Sequence, residues 1–384
     1  MPAAATESRA SSSNRPSSRL AQMTARKRFT VLAMINLVFL ATAAIVGEVG
    51  FRLFWHPKYQ IRCDRWLVGS GMTTAGRKYW PNSTYRIESR EFNVRFRTNA
   101  QGYRARPEPT PTEHPYRIAF VGDSFTEGMQ VEYDKTFCAL IEHGLAGAGH
   151  GREVVCENYG IAATGLFEYW HRITHDVLRP DAPDALVLCI YPGNDFTGEF
   201  PADGFEPDGR PRRMYYTGPT WARHVLTWLT LNSQLARFLQ ERIHRAGERL
   251  EPPYEAPKLW WINPVVASSA SDAPVVRRSR ALLQAIDDDC RRCGTRLCVL
   301  VVGPVTTYPS YHGQSPLARI LADWKIEAPV VDVAMEALVS PHFERLLFPR
   351  DGHLNESGHA YVAQAALPPL RAALAAPAVT ASRR

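Results

Sequence analysis

The chain carries the stretch FVGDSFTEG at residues 120–128, where an acid and a serine stand side by side between two glycines. The apolar run at 116–121 predicts a buried strand, and residues 131–147 repeat apolar side chains at helical spacing. Asp123 and Ser124 therefore fall at the carboxyl end of a strand, where open α/β sheets bind their ligands. On this stretch alone, Ser124 is either a reactive serine or part of a polar turn that caps the next helix.

The rest of the chain alternates between strand-like and helix-like segments, which predicts a parallel sheet flanked by helices in a three-layer α/β/α fold. Further strands are expected at 152–160, 184–193, 296–305 and 328–335, and further helices at 166–180, 275–293 and 356–374. The segment at 196–272 interrupts this alternation. We interpret it as a helical insertion whose face of Leu235, Phe238, Leu239 and Ile243 forms a cap or a lid.

The N-terminal region predicts a membrane anchor. Residues 1–28 are rich in Ser, Ala and Arg and are expected to form a disordered cytoplasmic tail. Residues 29–47 carry no charge over 19 positions, which is long enough to cross a bilayer. Because the basic residues at 26–28 precede this run, the positive-inside rule places the rest of the chain outside the cytoplasm. A cleaved signal sequence is the alternative, with a possible cleavage site at 41–43.

The charge and the cysteines exclude some classes of protein. The net charge of +7 arises in the two tails, so the body of the chain offers no basic surface for nucleic acid. The 384 residues include seven cysteines, of which Cys290 and Cys293 have the spacing of a redox or metal motif. There is no second pair of this kind, so we expect a structural role, such as a local disulfide, and predict no metal site and no cofactor.

Polar residues follow three other predicted strands or loops that would converge with Ser124 at one sheet edge. Asp351 and His353 precede the last helix, and His353 could accept the serine proton while Asp351 orients the imidazole. Donors for a tetrahedral oxyanion would be the Ser124 N–H, a backbone N–H of the turn at 160–165 and the side-chain amide of Asn194. Asp195 and His359 are interpreted as loop-fixing and packing residues.

Four blocks in this order, GDSFTEG, NYG, GND and DGHLNESGH, resemble the blocks of the SGNH (GDSL-type) hydrolase family over residues 115–375. The upstream NAQGYRARPEP resembles the segment before the core in membrane-anchored bacterial members. The resemblance implies a flavodoxin-like fold with a five-stranded parallel sheet. It also implies Ser124 as nucleophile, His353 as base, Asp351 as its partner and Asn194 as an oxyanion donor.

Two positions depart from the family pattern. The oxyanion glycine aligns near Ala163, with Gly160 and Gly165 beside it, so Gly160 and Ala163 are both retained as candidate backbone donors. The separation of Asp351 and His353 is one residue shorter than the commonest form.

These observations predict a serine esterase anchored in the bacterial inner membrane, with its catalytic domain in the periplasm or outside the cell. The expected substrate is an O-acyl ester, above all an acetyl ester, on a cell-envelope or exported polysaccharide. A lipid ester is the other substrate class that we consider.

The expected organisation of the chain has five parts. These are a tail at 1–28, an anchor at 29–47, a linker and N-terminal subdomain at 48–114, the hydrolase domain at 115–375 and a disordered tail at 376–384. Residues 55–115 are expected to be irregular apart from a short strand containing Val94 and Phe96. An O-acyltransferase using the same triad and a non-catalytic glycan-binding scaffold are the alternative functions.

Overall fold

The structure is a computed structural model of the chain. It describes residues 24–54, 60–63, 72–73, 76–106, 114–147, 151–179, 181–192, 195–196, 273–302, 316–333 and 343–375, with a few further residues between 211 and 243. Asn194, residues 1–23, residues 376–384 and most of the predicted insertion at 196–272 lie outside this set.

The strands and helices alternate along the domain as the sequence predicts. The strands are β1 Gln60–Cys63, β2 Met72–Thr73, β3 Gly76–Arg77, β4 Thr84–Glu88, β5 Asn93–Arg97, β6 Tyr116–Val121, β7 Val154–Asn158, β8 Ala185–Ile190, β9 Arg296–Val301 and β10 Val330–Asp332. The helices are α1 Ala25–Phe54, α2 Ser124–Glu127, α3 Phe137–Gly144, α4 Leu166–Arg172, α5 Pro274–Cys293, α6 Pro316–Asp323 and α7 Glu356–Ala375. Short 3₁₀ turns lie at Tyr133–Lys135 and Phe343–Leu346, and a π turn at Ile173–Val177 continues α4.

Five strands form a parallel sheet in the order β10-β9-β8-β6-β7, which confirms the predicted fold class. The chain leaves β6 to one side to form β7 and then returns to the other side to form β8. The carboxyl end of β6 is therefore a topological switch point, the place where doubly wound sheets open a crevice for ligands. Ser124 follows β6 directly, so the switch point positions it at that crevice.

Two apolar cores lie on opposite faces of this sheet. Along β6, Ala119 and Val121 join one core, whereas Ile118 and Phe120 join the other. Helices α4, α5 and α6 pack on the first face, and α3 and α7 pack on the second. Because both faces are covered, strands such as β8 are buried along their whole length and read as continuous apolar runs.

The region before the sheet is more regular than the sequence analysis predicts. Strands β1, β4 and β5 pair into an antiparallel sheet, where only one short strand was expected within 55–115. The sheet forms because buried and outward residues alternate in β4 and β5. Four buried side chains face one small core: Tyr85, Ile87, Val94 and Phe96. This sheet and the parallel sheet belong to the same compact unit, residues 57–384.

Helix α1 forms a separate unit and is long and apolar enough, by length and composition, to cross a membrane. It extends beyond the predicted span of 29–47 at both ends, and none of its residues is buried. Two polar side chains in its middle bond within the helix, since Asn36 donates to the Leu32 carbonyl at 2.8 Å and Thr42 donates to the Val38 carbonyl at 2.9 Å. A signal sequence would have the same length and composition.

Candidate active site

The structure brings Ser124, His353 and Asp351 together, although the serine is 229 residues from the histidine. The Ser124 Oγ lies 2.8 Å from His353 Nε2, and His353 Nδ1 lies 2.7 Å from Asp351 Oδ1. In this arrangement the Ser124 hydroxyl donates to Nε2 while Nδ1–H donates to the carboxylate. The Asp351 side chain is only 2% exposed, whereas that of His353 is 24% exposed. A buried acid thus orients an imidazole that substrate and solvent can reach.

The geometry of the turn that carries Ser124 explains why this serine stands between two glycines. At Gly122, an added Cβ would lie 2.1 Å from Thr126 Oγ1 and 2.9 Å from the Cys189 Cβ, so no side chain fits there. Gly128 ends the single turn of α2 with φ 60°, a left-handed conformation that glycine adopts without strain. The backbone can therefore turn sharply within a crowded core and present the serine at the start of α2.

Asp123 fixes this turn. Among the described residues it makes no hydrogen bond to His353. Its Oδ1 accepts the Phe125 N–H at 2.9 Å, which caps α2. Asp123 is buried, and this burial raises the pKa of its carboxyl above the usual range, with the Phe125 N–H opposing the shift. These contacts make Asp123 a residue that fixes the turn.

The loop at 348–353 holds the proposed base and acid on one short turn. The Phe348 N–H donates to the His353 carbonyl at 2.9 Å, and the Gly352 N–H donates to the Phe348 carbonyl at 2.8 Å. Gly352 has φ 84° between Asp351 and His353, which lets both side chains point to the same side despite the short spacing. Asn355 then caps α7 by accepting the Gly358 N–H at 3.0 Å.

His359 lies one turn into α7 and is buried. Its Nδ1 accepts the Phe137 N–H at 3.2 Å, and burial lowers the pKa of its imidazole to about 3. Both facts fit the interpretation of His359 as a neutral packing residue.

The candidate oxyanion donors divide into three kinds. The backbone N–H groups of Ser124 and Ala163 make no hydrogen bond to any residue that the structure describes, so both stay candidate donors. The Gly160 N–H donates to Asn158 Oδ1 at 2.8 Å, which corrects its prediction as a donor because the group is already engaged. The side chain of Asn194 lies outside the described residues.

Ala163 occupies an unusual backbone conformation for a residue with a side chain. Its φ is 55°, in the left-handed region where glycine is common, and this matches the alignment of Ala163 with the family's glycine. The preceding Ala162 N–H donates to Glu127 Oε2 at 3.2 Å, so the turn is tied to α2. Strained conformations of this kind concentrate at functional sites.

A buried arginine that sequence reasoning did not single out joins the nucleophile turn to the turn at 160–165. Arg172 is 2% exposed and donates to the carbonyls of Gly122 at 3.0 Å and Tyr159 at 2.7 Å, and to Thr164 Oγ1 at 3.2 Å. Helix α4 is buried on nearly all sides, but in the sequence Arg172 stands four residues after Glu168 and reads as part of an ordinary polar face, so no sequence pattern marks it as buried.

Asp195 holds the end of the third strand as predicted. Its carboxylate accepts the Tyr169 hydroxyl at 2.7 Å and the Tyr191 N–H at 2.8 Å.

Of the two cysteines with CxxC spacing, Cys290 is buried and Cys293 is exposed, and both are free thiols. Among the residues described, no group of three or more His, Cys, Asp and Glu side chains is placed to hold a metal ion.

Comparisons with known proteins find similarity to this chain only among solved structures. No family model and no curated protein matches the chain. A lipolytic protein of the G-D-S-L family from Desulfitobacterium hafniense is similar at 13% identity, with a TM-score of 0.35, over 66% of this chain and 99% of that one. The acetylxylan esterase Axe2 from Geobacillus stearothermophilus is similar at 13% identity, with a TM-score of 0.37, over 70% and 97%.

A two-domain esterase active on acetylated mannans is similar at 15% identity, with a TM-score of 0.33, over 68% of this chain and 51% of that one. The solved structures to which the chain is similar thus include two esterases and a lipolytic protein of the G-D-S-L family. At this identity and these TM-scores, the function of the chain has to be inferred from its own site.

Proposed function

We propose that the protein is a serine esterase that removes an O-acyl group, above all acetyl, from a cell-envelope or exported polysaccharide. The observation that carries this proposal is the continuous relay from Ser124 Oγ through His353 to Asp351, at 2.8 and 2.7 Å. These distances are within the range that proton transfer from a serine to a histidine base requires.

The proposed reaction has two halves. Ser124 Oγ attacks the ester carbonyl carbon while its proton passes to His353 Nε2, and the N–H groups of Ser124 and Ala163 stabilise the oxyanion that forms. The C–O bond to the sugar then breaks, and His353 returns the proton to the departing sugar oxygen. Water repeats the sequence on the acyl-enzyme, which releases the carboxylic acid and restores the serine.

The polysaccharide part of the proposal rests on the predicted location of the domain outside the cytoplasm, beside the cell envelope. Acetylated xylan and acetylated mannan, which two of the similar esterases are named for, are suitable probes. Acetate release from one of them, together with hydrolysis of a small aryl acetate, is the expected result. Transfer of the acetyl group to an added sugar in preference to water would favour the acyltransferase instead.

Covalent labelling tests the nucleophile directly. We expect a fluorophosphonate to modify the purified protein at Ser124 and to leave Ser124→Ala unmodified. A wild-type protein that neither reacts with the probe nor hydrolyses any ester, but binds acetylated glycans, would contradict the esterase and favour the binding scaffold.

We further propose that α1 is a retained anchor in the inner membrane, with the catalytic domain on the periplasmic side. The three basic residues at 26–28, the uncharged run that follows and the complete lack of buried residues in α1 support this topology. A periplasm-dependent reporter fused to the C-terminus should be active, and the full-length protein should resist alkaline extraction. Recovery of a soluble protein that begins near residue 44 would identify the segment as a cleaved signal sequence.

A further inference from the structure

The turn between β4 and β5 contacts the acid–base loop directly. The carboxylate of Glu91 accepts the Arg350 N–H, at 3.0 Å to Oε1 and 3.2 Å to Oε2, and the Asp351 N–H at 2.9 Å to Oε2. Glu91 and Asp351 are 260 residues apart in the chain. One ionised side chain thus binds two successive backbone N–H groups, and hydrogen bonds to a charged acceptor are among the stronger ones in proteins.

Glu91 is held in a defined place by its own turn. The Ser89 hydroxyl oxygen accepts the Glu91 N–H at 3.0 Å and the Phe92 N–H at 3.1 Å, which closes the turn. The ring of Phe92 lies 5.2 Å from that of Phe348, at the start of the acid–base loop. The turn therefore touches the loop through one apolar contact and one set of charged hydrogen bonds.

The same antiparallel sheet is also fastened to the nucleophile helix. Arg104 pairs with Thr98 just after β5 and is 3% exposed. Its guanidinium donates to the Glu127 carbonyl at 2.7 Å, to the Val131 carbonyl at 2.5 Å and to the Gly128 carbonyl. These carbonyls follow directly from α2, which begins at Ser124. The sheet thus contacts both the element that carries the serine and the loop that carries its partners.

Resting on the proposed esterase function, we propose that Glu91 is a positioning residue for that reaction. Glu91 sets the backbone at Asp351, and Asp351 in turn orients the imidazole of His353 through their 2.7 Å contact. Arg104 keeps the sheet that bears Glu91 in a fixed relation to the nucleophile helix. The N-terminal sheet is on this account a part of the catalytic apparatus and more than a linker between the anchor and the enzyme.

The test compares Glu91→Ala and Glu91→Gln with the matched control Glu88→Ala. Glu88 is a carboxylate at the end of the adjacent strand that pairs with Arg86 away from the loop. With a small aryl acetate, Glu91→Ala should lower kcat by about 10–100-fold and leave KM within about twofold, because a misplaced catalytic group can cost about 100-fold without affecting substrate binding. Glu91→Gln keeps one acceptor oxygen and should recover part of the loss, and Glu88→Ala should match the wild type.

A double variant separates positioning from general stability. Because Glu91 acts through Asp351, adding Glu91→Ala to Asp351→Asn should lower the rate of fluorophosphonate labelling at Ser124 by less than twofold. An equal loss in both backgrounds, or a wild-type kcat in folded Glu91→Ala or Glu91→Gln, would overturn the proposal while the esterase assignment stands. A wild-type protein that neither hydrolyses esters nor labels at Ser124 would overturn the esterase assignment, and the role of Glu91 with it.

Discussion

The nucleophile turn at 122–128 and the acid–base loop at 348–353 meet at one hydrogen bond, but they are stabilised in different ways. The nucleophile turn is held partly by near neighbours, since Asp123 caps α2 two residues away. It is also held by two buried arginines from other elements, since Arg172 donates to the Gly122 carbonyl and Arg104 donates to the Glu127 carbonyl. The loop receives its outside support from Glu91, in a sheet formed by a distant part of the chain. A turn whose cap and glycines are adjacent in sequence can be recognised from nine residues, whereas a loop supported by a distant contact shows only its reactive residues.

Removing either partner of the contact between the two regions should have the largest effect. Ser124→Ala and His353→Ala are each expected to lower kcat by about a million-fold, and the double variant should be scarcely worse because nucleophile and base act as one unit. Steady-state hydrolysis of an aryl acetate measures this, with Glu88→Ala as a folded control. Multiplicative losses in the double variant would mean that the two residues act independently and that the relay is not the catalytic unit.

Changing only the acid of the acid–base loop should lower kcat by less than removing the nucleophile or the base. Asp351→Asn keeps the shape of the side chain but removes its charge and disturbs the tautomer of His353, and the expected loss in kcat is about 10⁴-fold. Labelling of Ser124 by a fluorophosphonate should slow but remain specific. A loss below tenfold would show that the imidazole is oriented by other groups, and that the loop contributes to catalysis only through His353.

The side chain of Asn194, which the family resemblance predicts to be an oxyanion donor, can be tested at a third strand end. Asn194→Ala should lower kcat by about 100–1000-fold, the usual cost of one lost donor. Acylation of Ser124 should persist, since the nucleophile and base remain. Activity at the wild-type level would leave the backbone N–H groups of Ser124 and Ala163 as the sufficient pair of donors.

The sequence permitted the fold to be predicted, and it singled out three residues that the structure brings together, because these signals are local. Buried parallel strands such as β6 read as apolar runs, Ser124 directly follows that strand, and His353 shortly precedes helix α7. Gly160 was assigned wrongly as a donor because its N–H is engaged by Asn158, a contact that no spacing of residues reveals. Buried Arg172 was missed for the same reason, since its role lies in the contacts by which it joins the nucleophile turn to the turn at 160–165.

The smallest expected effect concerns the stability of the nucleophile turn and its dependence on pH. Glu127 in α2 is fully buried, and this burial raises the pKa of its carboxyl to about 7. The value in an unfolded chain is about 4.3. The folded state therefore binds the Glu127 proton more tightly than the unfolded state, and the stability that this gives is complete below pH 4.3 and is lost as the pH rises through 7.

Glu127→Gln stays neutral and can still accept the Ala162 N–H, so it should become more stable than the wild type as the pH rises from 5 to 8. The free energy of unfolding of Glu127→Gln minus that of the wild type should increase by up to about 3 kcal/mol between pH 5 and 8. Denaturant unfolding of both proteins at each pH measures this change, and Glu88→Gln is the control at a partly exposed position. The pKa of buried His359 is lowered to about 3, so its contribution rises with pH instead, but it is present in both proteins and cancels in the difference. A difference that stays constant from pH 5 to 8 would mean that the carboxylate of Glu127 is stabilised as fully as in water, and that the turn does not hold a buried proton.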